Sequence, residues 1–427
     1  MQGWVVWGRG MTSAAAHRKA IPAMTYSSEF LFRLETRGFI HQITDAAALD
    51  GAASKGAITA YVGFDCTAPS LHIGNLVSIM MLRHLQQSGH KPIVLMGGGT
   101  TKIGDPSGKD DARKLLGDDQ IAANMASIRR IFERFLTFGD GPTDAVMVNN
   151  DEWLSQLMVI PFLRDVGRHF SINRMLTFDS VRLRLEREQP LSFLEFNYMI
   201  FQAYDYLELG RRFGCTLQMG GSDQWGNIVN GTDLIRRVDG KDAFGLTTPL
   251  ITRADGAKMG KTAQGAVWLH EDQLPHFDYW QFWRNTHDAD VGKFLRLFTD
   301  LPLDEIVRLE ALEGAEINVG KEVLATQATA LCRGREAAEA AAETARTTFA
   351  EGGAGEDLPQ FAVSGPVAIV DALIGLGFAA SKNEARKLVA QGGARIDGEA
   401  AGSDAALVGP GQKVSAGKKR HGMIVAA

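Results

Sequence analysis

The feature that most limits what this chain can fold into is a repeated alternation of short, β-prone apolar runs with longer stretches of helical periodicity. Ile58-Thr59-Ala60-Tyr61-Val62-Gly63-Phe64 has the composition of a buried strand and ends on Asp65. Apolar residues then recur at helical spacing, at Leu76, Ile79, Met80, Leu82 and Leu85, until Gly89 stops the run. Pro92-Ile93-Val94-Leu95-Met96 is a second apolar strand, closed by Gly97-Gly98-Gly99. Further helical stretches fall near 120–137, 156–170 and 193–213, with a strand at Ala145–Val148. Strands alternating with helices predict an α/β fold built on a doubly wound, mostly parallel sheet. Right-handed crossovers then gather the loops at the strands' carboxyl ends, where open α/β sheets bind ligands.

Beyond Gly265 the pattern becomes helical, and residues 321–349 are rich in Ala, Glu and Arg with no strand signal. Glu351-Gly352-Gly353-Ala354-Gly355-Glu356 reads as a flexible break, and the last unit mixes short helices and strands. The expected organisation is an N-terminal extension over 1–23, an α/β domain over 24–250, a loop and helical domain over 251–350, a linker over 351–361 and a small α+β domain over 362–427. A chain of 427 residues is long enough to bury two or three cores of this kind. No run of eighteen apolar residues occurs, so no membrane span is expected. Cys66, Cys215 and Cys332 are far apart and form no CxxC pair, which argues against a disulfide framework or a tightly bound metal and fits the cytoplasm. The apolar piece Trp4-Val5-Val6-Trp7 is too short for a secretory signal, so residues 1–23 are expected to be a disordered extension. From Ala362 onward eight Lys/Arg stand against five Asp/Glu, a local +3 on a chain of net charge −5. A basic tail on an acidic body suits one module facing a polyanion, and equally suits a solvated surface.

The densest chemical signal is Tyr61-Val62-Gly63-Phe64-Asp65-Cys66-Thr67-Ala68-Pro69-Ser70-Leu71-His72-Ile73-Gly74-Asn75-Leu76. It runs from a strand through a Thr/Ser-bearing turn into a helix opening at His72. A helix N-terminus offers unpaired N–H groups and the positive end of its dipole to a phosphate chain. Gly74 has no side chain, so a base or ribose can approach the backbone. Thr67 and His72 are donors placed to meet phosphoryl charge, although taken alone they are more often a turn hydroxyl and a packed histidine. A polar loop far along the chain carries Lys258-Met259-Gly260-Lys261-Thr262, whose two lysines can stabilise a pentavalent phosphate and a departing pyrophosphate.

Ile103-Gly104-Asp105-Pro106-Ser107-Gly108-Lys109 is, by itself, a plain turn. Its spacing is not that of a phosphate-binding P-loop, and Lys102 stands where a dinucleotide fingerprint needs its third glycine. Tyr198, Gln202 and Asp205 fall at i, i+4 and i+7, so one helical face presents a phenol, an amide and a carboxylate. Such a face lines either a polar pocket or a buried structural network. Ser381-Lys382-Asn383-Glu384 forms a capping box, predicting a helix over Lys382–Ala390 that Gly392-Gly393 ends before a strand at Ala394–Ile396.

These strings together resemble the signatures of class I aminoacyl-tRNA synthetases and, among them, the bacterial-type tyrosyl-tRNA synthetases, over roughly residues 24–427. The first string is similar to the HIGH signature, with Asn75 in place of its second His, and the lysine loop to KMSKS, with Gly260 in place of its first Ser. The segment around Asp105 is similar to the family's GDPSGK, and Gln218-Met219-Gly220-Gly221-Ser222-Asp223-Gln224-Trp225-Gly226-Asn227 to its ribose and carboxylate segment. The resemblance implies a Rossmann-like catalytic domain, a homodimer, and L-tyrosine, ATP with Mg2+ and tRNA(Tyr) as partners. It implies charge stabilisation by Thr67, His72, Asn75, Lys258, Lys261 and Thr262. ATP would be held by Gly63, Asp65, Gly74, Gly221 and Asp223, with Lys109 and Arg113 near pyrophosphate. Asp105, Tyr198 and Gln202 would take the substrate ammonium, Tyr61 and Asp205 its phenolic hydroxyl, and Gln224 would sit near the reacting carboxylate. Asn150 is expected to support the residues on the Tyr198 side from behind. The tail resembles an S4-type RNA-binding module, with Lys382, Arg386, Lys387, Lys418, Lys419 and Arg420 as its contacts. A tryptophan enzyme shares the fold, but an indole would not require both Tyr61 and Asp205.

Overall fold

The computed structural model describes residues 26–106, 116–252, 254, 256, 259, 261, 262, 265–350, 358–417 and 420–426, with backbone only for 261, 262 and 348–350. The expected extension over 1–23 and most of the expected linker lie outside these residues.

The main sheet contains β1 (Gln42–Ile43), β2 (Thr59–Asp65), β3 (Lys91–Gly97), β4 (Val146–Asn149), β5 (Cys215–Gly221) and β6 (Phe244–Thr248). Their order is β1-β6-β5-β2-β3-β4, with β2 to β6 parallel and β1 antiparallel at one edge. The chain steps outward from β2 through β3 to β4, then returns to β5 on the other side of β2. That reversal leaves a crevice at the carboxyl ends of β2 and β5, the place where such sheets take ligands.

Alternation along β2 fixes its two faces. Ala60, Val62 and Phe64 enter a core shared with Leu76, Ile79 and Met80 of helix Ile73–Gln87 and with Ile128 and Phe132 of helix Asp118–Phe135. Tyr61 points the other way, into a core with Ala203, Tyr206 and Leu207 of helix Phe193–Phe213 and Leu234 of helix Trp225–Asp239. Helix Phe193–Phe213 is set by a reciprocal Ser192–Glu195 capping box and stopped by Gly214 at φ 64°, a left-handed position glycine adopts without strain.

Helices His276–Arg284, Val291–Phe298, Leu303–Glu310, Ile317–Arg333 and Arg335–Ala350 follow. Their buried Trp280, Trp283, Phe294 and Phe298 join the first of the two cores, so this region packs directly on the sheet's covering helices. The C-terminal unit has its own core, including Ile369, Leu373, Val389, Val414 and Ile424. Its helix spans Lys382–Ala390, with Ser381 as N-cap, and is followed by a strand at Ala394–Ile396. Strand Gln360–Val363 pairs in parallel with Arg420–Ala426 and so takes the last two residues of the stretch expected as linker. A four-residue strand whose partner lies at the far end of the unit has no local signal beyond its composition. Among the described residues no helix is long and apolar enough to cross a membrane, and no group of three or more His, Cys, Asp or Glu is placed to hold a metal ion.

Candidate active site

His72 is the N-cap of helix Ile73–Gln87. Its Nδ1 accepts from Gly74 N at 3.0 Å, and the Asn75 side-chain oxygen accepts from His72 N at 3.1 Å. With Nδ1 accepting, the proton of a neutral ring sits on Nε2, which makes that edge a donor. Asn75, in the position of the family's second histidine, thus spends its oxygen on the cap and keeps its NH2 as a donor. A Cβ on Gly74 would lie 2.8 Å from His72 Cε1 and 2.9 Å from Nδ1. The histidine ring packed over Gly74 is a second reason for glycine at this position. Gly74→Ala is expected to slow amino-acid activation at least about tenfold, because a small misplacement of a reacting group is costly. Its thermal midpoint should fall as well, because the displaced ring no longer caps the helix, a loss of about 0.5–2 kcal/mol.

The two signature loops lie together. Met259 is buried, and its carbonyl oxygen is 3.5 Å from the position of a Gly74 Cβ. Lys261–Thr262 pairs with Gly265–Ala266, and the chain then runs along the first motif. Ile73 N donates to Val267 O at 2.9 Å and Leu269 N to Leu71 O at 2.8 Å, with Trp268 opposite His72.

At the far end of the crevice Asp205 is about 1% exposed. Its Oδ1 accepts from Trp153 Nε1 at 2.7 Å and its Oδ2 from Asn150 Nδ2 at 2.9 Å. Burial raises its pKa to about 7, against the pull of those two donors. Tyr61 Oη is buried with no protein partner, and its ring packs on Tyr206 at 5.3 Å. Burial first, and the charge of Asp205 next, push the Tyr61 phenol well above its ordinary pKa, so it stays a donor. An orphaned buried phenol beside a carboxylate is costly unless a ligand completes it. Asn150 was expected to support the residues on the Tyr198 side from behind; it bonds Asp205 on that helix face, and also Thr100 Oγ1 at 3.0 Å, and accepts from Gly99 N at 2.8 Å.

Between the two ends, Tyr198 Oη donates to Asp65 Oδ2 at 3.2 Å and Thr100 Oγ1 to Asp65 Oδ1 at 2.8 Å. Gln224 Nε2 donates to Asp105 Oδ2 at 2.9 Å, while Asn227 Nδ2 donates to Gln224 Oε1 at 3.1 Å and to Gln202 Oε1 at 3.0 Å. Tyr198 thus reaches Asp65, and the charges of Asp65, Asp105 and Asp205 all act on it. Gly97 is obligatory here, since a Cβ would stand 2.4 Å from Asp65 Oδ1.

Tyr61, Gly63, Asp65, Thr67, His72, Gly74, Asn75, Asp105, Tyr198, Gln202, Asp205, Gly221, Asp223 and Gln224 all line one cavity of about 540 Å³. Asn150, Gln218, Thr248 and Trp268 line it too. Lys109, Arg113, Lys258, Lys418 and Lys419, and the side chains of Lys261 and Thr262, lie outside the described residues. In the tail, Lys382 pairs with Asp371 at 2.9 Å and Arg386 with Asp404 at 3.2 Å, both at the surface. Lys387 is exposed, whereas Arg420 donates to Phe378 O and lies over the Phe378 ring.

A crevice at the sheet switch point, bounded at one end by a histidine-capped helix and at the other by a buried acid and phenol, is the geometry of a class I synthetase. The family model for class I tRNA synthetases (W and Y) matches residues 53–350. A tyrosine–tRNA ligase of Novosphingobium aromaticivorans is 66% identical over 403 residues, covering 93% of this chain and 98% of that one. A tyrosine–tRNA ligase of Zymomonas mobilis is 66% identical over 405 residues, covering 94% and 99%. A C-terminally truncated mitochondrial tyrosyl-tRNA synthetase of Aspergillus nidulans superposes with a TM-score of 0.68 at 30% identity, covering 75% of this chain and 94% of that one. The chain belongs to the tyrosine–tRNA ligase family.

Proposed function

We propose that the cavity binds L-tyrosine with its ring against Tyr61 and Asp205 and ATP along the His72 helix, and that the chain transfers tyrosine to tRNA(Tyr). The observation that carries this reading is the pairing of Asp205 with an unpartnered Tyr61 Oη inside one cavity with His72. The tyrosine carboxylate attacks the ATP α-phosphorus; the bond to the bridging oxygen breaks and pyrophosphate leaves with its electron pair. The terminal ribose hydroxyl of tRNA then attacks the acyl carbon and AMP leaves. Thr67, His72 and Asn75 supply donors to the phosphoryl oxygens, and Lys258, Lys261 and Thr262 are assigned the departing pyrophosphate. Asp105, with Tyr198 and Gln202, takes the ammonium; Gln224, itself bonded to Asp105, sits beside the reacting carboxylate. Gly221 and Asp223 close on the ribose. ATP would bring Mg2+ on its own phosphates, and no step is assigned to the ion.

Tyrosine, tryptophan and phenylalanine compared in parallel in ATP–pyrophosphate exchange test the assignment. Exchange that depends on tyrosine alone is expected; exchange with tryptophan, or with none of the three, would overturn it.

The homodimer and the cytoplasmic location belong to the same reading. Met158, Val159, Ile160 and Leu163 present an apolar ridge, with Ile160 73% exposed. A patch of this kind is seldom left to water. Ile160→Glu is expected to convert the dimer to a monomer in sedimentation velocity; an unchanged sedimentation coefficient would place the interface elsewhere. Lys382, Arg386 and Lys387, with Lys418, Lys419 and Arg420, are assigned to tRNA phosphates.

A further inference from the structure

The backbone of His72 is held from behind by the segment Val267-Trp268-Leu269, through the bonds from Ile73 to Val267 and from Leu269 to Leu71. That segment is held in turn from its other side. Arg333, the last residue of helix Ile317–Arg333, has a side chain with no exposed surface. Its Nη2 donates to Trp268 O at 3.0 Å, its Nη1 lies 3.4 Å from Glu271 Oε2, and its guanidinium sits 4.8 Å from the centre of the Tyr279 ring. Cys332 Sγ contacts Leu269 O at 3.3 Å. Two successive residues at the end of one helix therefore fasten two carbonyls of the segment that aligns His72.

A buried guanidinium is an expensive way to make that fastening, because its desolvation must be offset by every partner it keeps. Arg333 Nε has none. Packing alone would be served by an apolar side chain. What only a planar fork can do here is bridge the Trp268 carbonyl and the Glu271 carboxylate while lying over an aromatic ring. The same segment follows directly on strand Gly265–Ala266, which pairs with Lys261–Thr262 of the second signature.

We infer that Arg333 is a positioning residue for the activation step: it fixes the register of Val267-Trp268-Leu269, and through that segment the place of His72 over the α-phosphate. The inference rests on the assignment of the cavity to tyrosine and ATP. It does not make Arg333 a group that touches either substrate.

The test uses the full chain with Arg333→Met, which keeps length and loses the fork, and Arg333→Lys, which keeps the charge with a single point of contact. In tyrosine-dependent exchange, Arg333→Met is expected to lower kcat at least about tenfold, the scale of a small misalignment at a reacting centre. The tyrosine dissociation constant should stay within about twofold, since Asp205 and Tyr61 lie at the other end of the cavity. Arg333→Lys is expected to recover part of kcat. The deciding arm is the double variant with His72→Ala. If Arg333 acts through His72, the pair loses no more than His72→Ala alone, whereas independent roles multiply. Multiplying effects, or a fall in tyrosine affinity that matches the fall in kcat, overturns the inference. Should Arg333→Met fail to fold, the Arg333→Lys and His72→Ala pair carries the same cycle. If the wild-type chain shows no tyrosine-dependent exchange, the cavity assignment fails and not the role of Arg333.

Discussion

Asp205→Ala is expected to lower tyrosine-dependent pyrophosphate exchange by roughly 10²-fold or more, the scale of losing a charge-assisted hydrogen bond inside a closed site. The substitution removes the acceptor for the substrate hydroxyl and also strands Asn150 Nδ2 and Trp153 Nε1, which now bond its two oxygens. Each stranded donor costs about 1–3 kcal/mol, so a lower thermal midpoint should accompany the kinetic loss. Asp205→Asn separates the two effects in part, because it retains one oxygen acceptor.

The ionisation of Asp205 gives the same prediction a pH signature. Its pKa in the folded chain, about 7, lies above the ordinary carboxylate value near 3.9 because burial disfavours the charge. Between those values the folded state holds a proton that the unfolded chain has released. The contribution is therefore fully present below about pH 4 and is lost as pH rises through about 7. Urea unfolding of the free protein should show this falling component relative to Asp205→Asn, from which it is missing. Tyrosine affinity should move the other way, rising towards pH 7 and levelling above it, because the substrate hydroxyl donates best to the ionised carboxylate. A pH-independent affinity across that window would remove Asp205 from the hydroxyl.

His72→Ala is the second large effect. Loss of one preorganised donor to transition-state charge typically costs about 10²–10³-fold in kcat. Here the Nδ1 bond to Gly74 commits a neutral ring to presenting Nε2–H. The same change removes the cap of helix Ile73–Gln87, worth about 0.5–2 kcal/mol. His72→Asn distinguishes the roles, since asparagine is a strong N-cap but does not carry an Nε2–H to the phosphate. It should restore the thermal midpoint while leaving kcat low, with tyrosine binding near normal in both variants. Recovery of kcat by His72→Asn would show that the cap alone matters.

The sheet was readable because its strands are nearly continuous apolar runs and its helices carry their own stop and start residues. The Ser381 signal placed the helix Lys382–Ala390 at its observed ends, although Glu384 takes the Ala380 amide and leaves the expected box half made. A residue's place was readable where it follows from its own string, as for His72 at the start of helix Ile73–Gln87. It was not readable where the role depends on a partner far along the chain. Trp153 meets Asp205 only because β4 ends one strand away from β3, with helix Phe193–Phe213 crossing above. Nothing in the string around Trp153 marks its indole N–H as the donor that holds the Asp205 carboxylate. The bond from Asn150 to Asp205 escaped for the same reason, as did the strap Val267–Leu269 behind His72. That the ring of His72 also leaves no room for a Cβ on Gly74 needed the helix geometry.

The central claim is that a buried acid and phenol at one end of the crevice read a para-hydroxyl while a capped helix at the other end receives the α-phosphate. A crystal structure of the chain with L-tyrosine and a non-hydrolysable ATP analogue tests it most directly. The substrate's ring oxygen should lie within hydrogen-bond distance of both the Asp205 carboxylate and Tyr61 Oη, with the α-phosphorus beside His72 Nε2. A tyrosine bound with its ring oxygen touching neither group, and Asp205 bonded only to Asn150 and Trp153, would contradict it.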